Sequence, residues 1–552
     1  MTEAIINEAL DWERRSGATF EAEKTAIIHF APKTRKLDYE PFTIKRQTVT
    51  PKDHVKILGL LMDTRLKYKE HMARAASKGL EAAMELRRLR GLSPATARQL
   101  FTSTVAPVVD YASNVWMHAC KDKAMGPINL RRVGAQAIVG TFLTVATSVA
   151  EAEAHIATAR SRFWRRAVKM WTDMYTLPET NPLRRGTDRI RKFRRYHRSP
   201  LYQVADALRH IDMETLETMN PFTLAPWDER LLANIDGQHE PQTEAGGLMQ
   251  IAISSLARNK LVGFGVASEK QPPRNRKLKL KTFSTTLGAR AEQNPFSAEL
   301  AAMAHVLKMV VGIKGYKITL LTSNKAAALT LRNPRQQSGQ EFVCQMYKLM
   351  RRLRRNRNRI SFHWIPPTSE DNKLLGRAKE QARVATQEDA LLQERVPRMK
   401  STTLNIARSQ AVPRNKLPEN VGRHAKRVDA ALPGKHTRQL YDRLSWKEAT
   451  VLAQLRTGMA RLNGYLNRIN VVETDQCDCG QARETVEHFL FRCRKWTAHR
   501  TEMLQCTQTH RGNISFFLGG KQASDDQKWT PNLEAVRASV RFAIATGRLE
   551  AT

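Results

Sequence analysis

The stretch from Phe296 to Asp389 decides the fold of this chain. It opens with Phe296-Ser297-Ala298-Glu299-Leu300-Ala301-Ala302, which predicts an apolar helix, and continues with the predicted strand Lys317-Ile318-Thr319-Leu320-Leu321-Thr322. A second predicted helix begins at Ser323-Asn324-Lys325-Ala326-Ala327-Ala328-Leu329, and a further strand reads Ile360-Ser361-Phe362-His363-Trp364-Ile365-Pro366. Strands that alternate with helices of this length need crossover connections, so the pattern predicts an α/β domain with a largely parallel sheet.

These segments resemble the RNase H domain of non-LTR (LINE-type) retrotransposon polyproteins, fungal ones especially. The flanking regions are similar to the thumb that precedes that domain in the same polyproteins and to the Cys/His knuckle that follows it. The resemblance implies a multidomain α/β protein. Its parts would be a mostly helical N-terminal thumb region, an RNase H-like mixed α/β domain and a small helical zinc-knuckle domain at the C-terminus.

The resemblance and the composition together predict seven segments along the chain. They are a remnant of the reverse transcriptase palm (1–72), a helical thumb or connection (73–178), a basic linker (179–245), the RNase H-like domain (246–390), a second linker (391–432), a helical region with the knuckle (433–505) and a C-terminal helix and tail (506–552). In the family, the polymerase aspartates lie upstream of the palm remnant, in a Tyr- or Phe-Ala-Asp-Asp turn. The Asp-Asp pair of this sequence is Asp525-Asp526, in a polar tail. We therefore expect no polymerisation by this chain.

The ribonuclease of this family uses four acidic residues around two divalent metal ions. The ions hold the attacking and leaving oxygens of a phosphodiester, and hard carboxylate oxygens are the ligands that suit Mg²⁺. Only one of the four matching positions is acidic here, Glu299; the other three fall at Ser254, Ser323 and Gly376. Because serine cannot replace a carboxylate in neutralising Mg²⁺, we expect a folded domain without catalysis, and Mg²⁺ binding only if the site were active.

Two further interpretations of the acidic residues stay open. Glu299 could be an ordinary acid in the first turn of a helix, where the helix dipole stabilises negative charge. Asp236-Gly237 could supply the missing first acid, since Asp-Gly opens the family motif. The residues that follow, Gln-His-Glu-Pro-Gln, favour a turn there instead.

The charge of the chain indicates a polyanionic partner. It has 91 Lys and Arg against 53 Asp and Glu, a formal net charge of +38 and an isoelectric point near 10.4. Such a surplus favours RNA, DNA or an RNA–DNA hybrid over an anionic membrane. The sequence contains no run of 18 apolar residues and opens with no signal peptide, so we expect no membrane partner and a nuclear or cytoplasmic location.

Two basic clusters are candidate nucleic-acid contacts. The first interleaves cations with Phe193 and Tyr196, which suits phosphates and stacked bases, although such runs also serve as nuclear import signals. The second follows the predicted helix from Glu341, where six arginines in nine residues exceed what the helix dipole stabilises. The first cluster contains Arg184, Arg185, Arg191, Lys192, Arg194 and Arg195, and the second contains Arg351, Arg352, Arg354, Arg355, Arg357 and Arg359.

A metal site is predicted near the C-terminus. Cys477, Cys479, His488 and Cys493 follow the pattern Cys-x-Cys-x8-His-x4-Cys. Three soft thiolates and an imidazole form a tetrahedral set suited to structural Zn²⁺, without an open position for water. The alternative is three unrelated buried thiols near a core histidine. The run, including Glu484-Thr485, resembles the C-terminal knuckle of the LINE polyproteins.

Three functions remain after this comparison of motifs. The expected one is a nucleic-acid-binding fragment of a LINE-type reverse transcriptase/RNase H polyprotein that lacks the polymerase active site and most RNase H carboxylates. The second is an active ribonuclease on RNA–DNA hybrids, which needs three missing acids to be supplied from elsewhere in the chain. The third is a host-adopted interaction protein that uses its basic surface for assembly only.

Overall fold

The computed structural model shows two compact units, one made of residues 1–166 with 412–552 and the other of residues 167–411. The residues described are 2–31, 34, 36–89, 91–119, 130–192, 199–220, 224–231, 233–235, 247–272, 279–366, 372–392, 396–411, 417–526 and 528–550.

The chain begins with two short antiparallel hairpins and a series of helices. The hairpins pair β1 (Phe42–Ile44) with β2 (Gln47–Val49) and β3 (His54–Ile57) with β4 (Leu60–Asp63). The helices are α1 (Thr2–Ser16), α2 (Lys69–Arg88), α3 (Pro94–Leu100), α4 (Ala106–Asp110), α5 (Ser113–Trp116), α6 (Leu130–Val139), α7 (Thr147–Glu153) and α8 (Ala159–Tyr175). As its sequence favours, α3 begins after an N-cap serine, Ser93, whose hydroxyl accepts a hydrogen bond from the Thr96 N–H.

The unit of residues 167–411 contains a mixed sheet with helices on both faces. Its strands are β5 (Ala233–Asn234), β6 (Gly247–Arg258), β7 (Leu261–Gln271), β8 (Lys279–Ala289), β9 (Tyr316–Thr322) and β10 (Arg359–Trp364). Its further helices are α9 (Pro182–Arg185), α10 (Thr187–Arg191), α11 (Tyr202–Ala207), α12 (Pro295–Val310), α13 (Lys325–Arg332), α14 (Gln340–Arg355), α15 (Lys373–Val384) and α16 (Lys400–Ala411).

The strand order in this sheet is β5-β10-β9-β6-β7-β8. Strands β6, β7 and β8 form an antiparallel meander, whereas β9 runs parallel to β6, and β10 runs parallel to both β9 and β5. The strands of this unit therefore form a six-stranded mixed sheet, which confirms the α/β class but not the largely parallel arrangement.

The two faces of the sheet carry different helices. Apolar side chains at alternate positions of β6 and β9 pack with α12 and α14 in the main core of the unit, and the intervening positions pack with α15 in a smaller cluster. Helix α15 approaches β7 closely at Gly265. A Cβ there would lie 2.3 Å from the Ala378 carbonyl oxygen, so this strand position requires glycine.

Neither predicted linker is free of structure, and both assignments are corrected here. The segment 179–245 contains α9, α10, α11 and β5, and the segment 391–432 contains α16 and α17 (Arg423–Val428). Prolines and basic residues suggested a linker, but the first segment also buries apolar side chains between them, at Leu201, Val204, Leu208, Ile211, Met213, Leu216 and Met219.

The C-terminal part of the chain completes the first unit. After α17, its helices are α18 (His436–Tyr441), α19 (Trp446–Thr457), α20 (Asn463–Leu466), α21 (Thr497–Gln505), α22 (Ile514–Phe517) and α23 (Leu533–Ala545). One hydrophobic core joins side chains of residues 60–163 with side chains of residues 417–549. The segments expected to form a thumb and a knuckle domain therefore share their buried apolar surface.

A buried ionic network lies within this shared core. The guanidinium of Arg456 donates to carboxylate oxygens of Glu153 and Asp429, each at 2.7 Å, and to the Leu518 carbonyl at 2.5 Å. All three charged side chains are fully buried. Tyr441 donates to Glu153 at 2.9 Å, and the His436 ring lies 2.6 Å from Asp429. The network thus links residues more than 300 positions apart in sequence.

Among the described helices, none combines the length and the apolar composition that crossing a membrane requires.

Candidate metal centre and ribonuclease-like site

The four predicted metal ligands lie together. Sγ of Cys477 is 3.6 Å from Sγ of Cys493, and Sγ of Cys479 is 3.2 Å from Nε2 of His488. All four ligand atoms lie within 4.8 Å of one another. A tetrahedron with metal–sulfur distances of about 2.3 Å has edges of about 3.8 Å, so the arrangement fits a four-coordinate ion. This cluster can bind a metal ion.

Two backbone turns bring these ligands together. The Gly480 N–H donates to the Cys477 carbonyl at 2.8 Å, and the turn places Gly480 at φ +74°, a conformation that favours glycine. The second feature is a π-helical turn, His488–Arg492, in which the Cys493 N–H donates to the His488 carbonyl at 2.8 Å. This wide turn returns Cys493 toward the cysteines of the first turn.

Two buried arginine contacts hold the ligand loop, and the sequence analysis did not find them. Arg500 donates to the carbonyls of Leu490, Phe489 and Cys493 at 2.6, 3.2 and 2.9 Å. Arg548 forms a two-pronged pair with Glu484, at 2.9 and 2.6 Å. Glu484 is only 2% exposed.

The thiols have unequal acidities without a metal ion. Burial raises the pKa of Cys477 to about 12, while a backbone hydrogen bond from Gln481 lowers the pKa of Cys479. Burial also lowers the pKa of His488, which favours the neutral imidazole that metals bind. Of the two, the buried Cys477 thiolate is stabilised most by a metal ion, because the ion replaces the proton that burial retains.

Glu299 is the acidic residue of the predicted ribonuclease-like site, and its surroundings contain hydroxyl groups. It lies in α12, which begins with a capping box between Asn294 and Ser297, and it is 1% exposed. Its carboxylate accepts hydrogen bonds from the Thr322 hydroxyl and from Ser255. Burial raises the pKa of Glu299 to about 7, although both hydrogen bonds act in the opposite direction.

The partners of Glu299 differ by one residue from two of the predicted positions. Ser255 on β6 and Thr322 on β9 face Glu299, rather than Ser254 and Ser323. Side chains alternate between the faces of a strand, so a count along the sequence that slips by one selects the wrong face. Attention to the apolar alternation, Ile318 and Leu320 before Thr322, would have identified the residues on the α12 face.

The predicted positions Ser323 and Gly376 do not take part in the hydrogen bonds around Glu299. The Ser323 carbonyl accepts a hydrogen bond from Trp364 Nε1 at 3.2 Å, and Lys325 Nζ lies 4.7 Å from the centre of the Trp364 ring. Gly376 lies in α15 and is exposed. Asp236 and Gly237 lie outside the described residues. Among the residues that the structure describes, Glu299 belongs to no group of three or more potential metal ligands, so these residues do not supply the carboxylates that a pair of Mg²⁺ ions needs.

Replacing Glu299 by glutamine is expected to remove a pH dependence of stability. The native state keeps the Glu299 proton up to about pH 7, whereas the unfolded chain loses it near pH 4.5. The associated stability is therefore complete below pH 4.5 and is lost as the pH rises to 7. Because of Glu299, the free energy of unfolding of the wild type, measured with urea, should be about 3 kcal/mol lower at pH 8 than at pH 4.5. The Glu299→Gln variant should not show this decrease.

The matched control is Glu341→Gln, since Glu341 is an exposed acid in the first turn of α14. This variant should keep the pH dependence of the wild type. An unchanged pH dependence in Glu299→Gln would contradict the assignment of a protonated, buried Glu299.

The second basic cluster lies on the C-terminal half of α14 and at the start of β10. Two of its arginines have acidic partners: Arg354 is 2.6 Å from Glu229, and Arg351 is 3.9 Å from Asp228. The exposed members of the cluster are Arg351, Arg352, Arg355, Arg357 and Arg359. The structure therefore keeps these residues on one short, solvent-exposed stretch of the surface, where phosphate contacts remain a prediction.

The first basic cluster is partly engaged within its own unit. Arg184 lies over the Tyr175 ring at 4.4 Å and pairs with Glu214 at 2.5 Å, and Arg191 contacts both residues as well. The Arg184 side chain is only 13% exposed. Arg185 and Lys192 are exposed, and Arg194 and Arg195 lie outside the described residues. Arg184 and Arg191 thus stabilise the segment after α8.

Comparisons with known proteins find similarity in structure only. No protein-family model and no curated protein sequence matches the chain. The chain is similar to the N-terminal RNase H domain of Rv2228c from Mycobacterium tuberculosis, with 15% identity, 25% of this chain and 99% of that chain covered, and a TM-score of 0.20. It is also similar to RNase H1 of Halobacterium salinarum, with 14% identity. That match covers 25% of this chain and 97% of the other chain, with a TM-score of 0.20.

A third similar structure is the protease–reverse transcriptase of prototype foamy virus, at 13% identity, with 28% of this chain and 22% of that chain covered and a TM-score of 0.21.

Proposed function

We propose that this chain is a nucleic-acid-binding fragment of a LINE-type retrotransposon reverse transcriptase/RNase H polyprotein, and that it does not cleave the nucleic acid it binds. The observation that supports the absence of cleavage is the hydrogen bonding of Glu299 to the hydroxyls of Ser255 and Thr322. A carboxylate that is buried, hydrogen-bonded to hydroxyls and protonated near neutral pH is a poor ligand for Mg²⁺.

Binding is supported by the charge and by its distribution. The chain has a net charge of +38, and the exposed arginines near the end of α14 lie within a few residues of one another. Cations in this number neutralise phosphates and release their counterions, which supplies sequence-independent affinity for RNA or DNA. The chain would act in a reducing compartment, nucleus or cytoplasm, where its clustered cysteines remain thiols.

The metal ion of the cysteine cluster is proposed to be Zn²⁺ with a structural role. Three thiolates and one imidazole select Zn²⁺ among the common cellular divalent ions, and four protein ligands leave no position for a reacting water. Cys477, Cys479, His488 and Cys493 would hold it. Chemistry is therefore not expected at this centre.

The activity test is a cleavage assay on an RNA–DNA hybrid with Mg²⁺. We expect no cleavage above background from the wild type and the same result from Glu299→Gln, because one carboxylate cannot hold the two ions that the reaction needs. Product formation is measured on labelled RNA by gel electrophoresis. Cleavage by the wild type that Glu299→Gln abolishes would overturn the proposal and establish a working hybrid ribonuclease.

Binding itself is tested by titrating salt in a filter-binding assay. The logarithm of the affinity should fall steeply and linearly with the logarithm of the salt concentration, because each neutralised phosphate releases counterions. A flat dependence would favour an interaction protein that uses its basic surface for assembly. Either outcome is independent of the cleavage assay.

A further inference from the structure

A small cavity lies beside the metal loop, within the unit formed by residues 1–166 and 412–552. Its volume is about 170 Å³, and it is lined by α17, by the residues around α20 and by the segment 483–486 that precedes the ligand His488. A space of this size accommodates a phosphate-sized group.

The charged residues that line the cavity are three arginines and one acid, namely Arg427, Arg468, Arg483 and Glu484. The acid is already neutralised, since both oxygens of the Glu484 carboxylate accept hydrogen bonds from Arg548. Two of the arginines also have partners outside the lining. Arg427 lies 3.2 Å from Glu487, and Arg483 lies 3.0 Å from Asp475.

Arg468 is the remaining charge. No carboxylate among the described residues pairs with it, and its hydrogen-bond partner is the Met459 sulfur at 3.0 Å. Its guanidinium lies over the Tyr465 ring at 5.1 Å, and Tyr465 stacks on Phe142 with ring centres 5.9 Å apart. Arg468 is exposed, and its contact with the Tyr465 ring leaves an uncompensated cation in the lining of the cavity.

A half-buried histidine, His424, contacts a second cation of the cavity without adding charge. One ring nitrogen of His424 lies 3.0 Å from the Leu455 carbonyl, which fixes that nitrogen as the donor. The other nitrogen accepts from Arg427 at 3.4 Å. Burial lowers the pKa of His424, in agreement with a neutral ring. The net charge of the lining and its partners is therefore +1.

We propose that this cavity binds one phosphodiester group of a single-stranded nucleic acid, with Arg468 as the principal contact. A phosphodiester carries one negative charge and matches both the volume and the single uncompensated cation. The proposal deepens the nucleic-acid-binding function proposed above and rests on it. It gives the metal loop a role in placing a strand, because residues 483–486 form one wall of the cavity.

The test compares the full-length wild type with Arg468→Ala and with Arg537→Ala. Arg537 is an exposed arginine of α23 that does not line the cavity, and its substitution removes the same charge. Binding of a single-stranded RNA oligonucleotide is measured by fluorescence anisotropy over a range of salt concentrations. Arg468→Ala should weaken binding about tenfold and make the salt slope shallower by about 0.7, the value for one phosphate contact on a single strand. Arg537→Ala should change the affinity less than about twofold.

A second arm probes the cavity without nucleic acid. Inorganic phosphate is titrated with each protein and followed by the broadening of its ³¹P resonance, and we expect saturable binding that Arg468→Ala removes and Arg537→Ala retains. Equal phosphate binding by wild type and Arg468→Ala overturns the cavity proposal, even where RNA binding persists. Loss of phosphate binding in Arg468→Ala with unchanged RNA binding overturns the nucleic-acid assignment and leaves a site for free phosphate. A wild type that binds no RNA refutes the proposed function and, with it, the phosphodiester as the ligand.

Discussion

Arg456→Met is expected to lower the free energy of unfolding of the unit formed by residues 1–166 and 412–552 by about 3–5 kcal/mol. The substitution keeps the volume and removes the charge, so Glu153 and Asp429 remain as buried carboxylates without their common partner. Breaking a buried pair costs more than the pair contributes, since an uncompensated buried charge is left behind. Urea or thermal unfolding, followed by the fluorescence of buried tryptophans such as Trp116, measures the loss.

The acidities of the network give this prediction a pH signature. Burial acts to raise the pKa of Asp429, but the hydrogen bond from His436 and the charge of Arg456 outweigh it, and the pKa lies well below its usual value. A depressed carboxyl pKa contributes stability above the unfolded value of about 3.8, and this contribution is lost as the pH falls further. Arg456→Met should therefore unfold at a less acidic pH than the wild type.

The control for this experiment is Arg438→Met. Arg438 forms an exposed pair with Asp442 on the same unit, at 2.9 Å with 66% of the arginine side chain exposed, and its loss should cost less than about 1 kcal/mol. Equal effects of the two substitutions would contradict the assignment of Arg456 to a desolvated network.

Removal of the metal ion is expected to have the second large effect. A strong chelator, or Cys477→Ser, should reduce bound zinc from one equivalent to none and destabilise the same unit by on the order of 5 kcal/mol. The reason lies in the core, because Val486, Phe489 and Leu490 belong to the ligand loop and pack among the buried residues of the unit. Without the ion, the two ligand-bearing turns lose their common centre and these side chains lose their fixed positions.

Metal content by mass spectrometry and the unfolding temperature are the measurements. Cys344→Ser is the matched control, because Cys344 is a free cysteine outside the metal cluster, in α14. This variant should keep one equivalent of zinc and the unfolding temperature of the wild type. A wild type that binds no zinc, or binds it without a change in stability, would refute a structural centre.

The sequence was informative wherever a local pattern determines the geometry. The spacing of Cys477, Cys479, His488 and Cys493 predicted a cluster that the structure brings within 4.8 Å, since two short turns suffice to assemble it. The strands β9 and β10 and the helices α12, α13 and α14 were likewise predicted from local sequence patterns.

Long-range features were not accessible in this way. A one-residue difference separates Ser254 from Ser255, and only the packing of the sheet on α12 shows which of them faces Glu299. The partners of Arg456 lie 303 and 27 positions away, so no sequence window contains the network. The linker prediction failed because buried leucines and methionines were outnumbered locally by prolines and arginines.

The discontinuous core has a consequence for synthesis of the chain on the ribosome. Residues 60–163 cannot complete their core until residues 417–549 have emerged, and the unit of residues 167–411 is made in between. At about 5–20 residues per second, the early helices wait for roughly 20–80 seconds with apolar surface uncovered. Newly made chains are thus candidates for chaperone protection during this interval, and a product terminated before residue 412 would aggregate instead of yielding a free N-terminal domain.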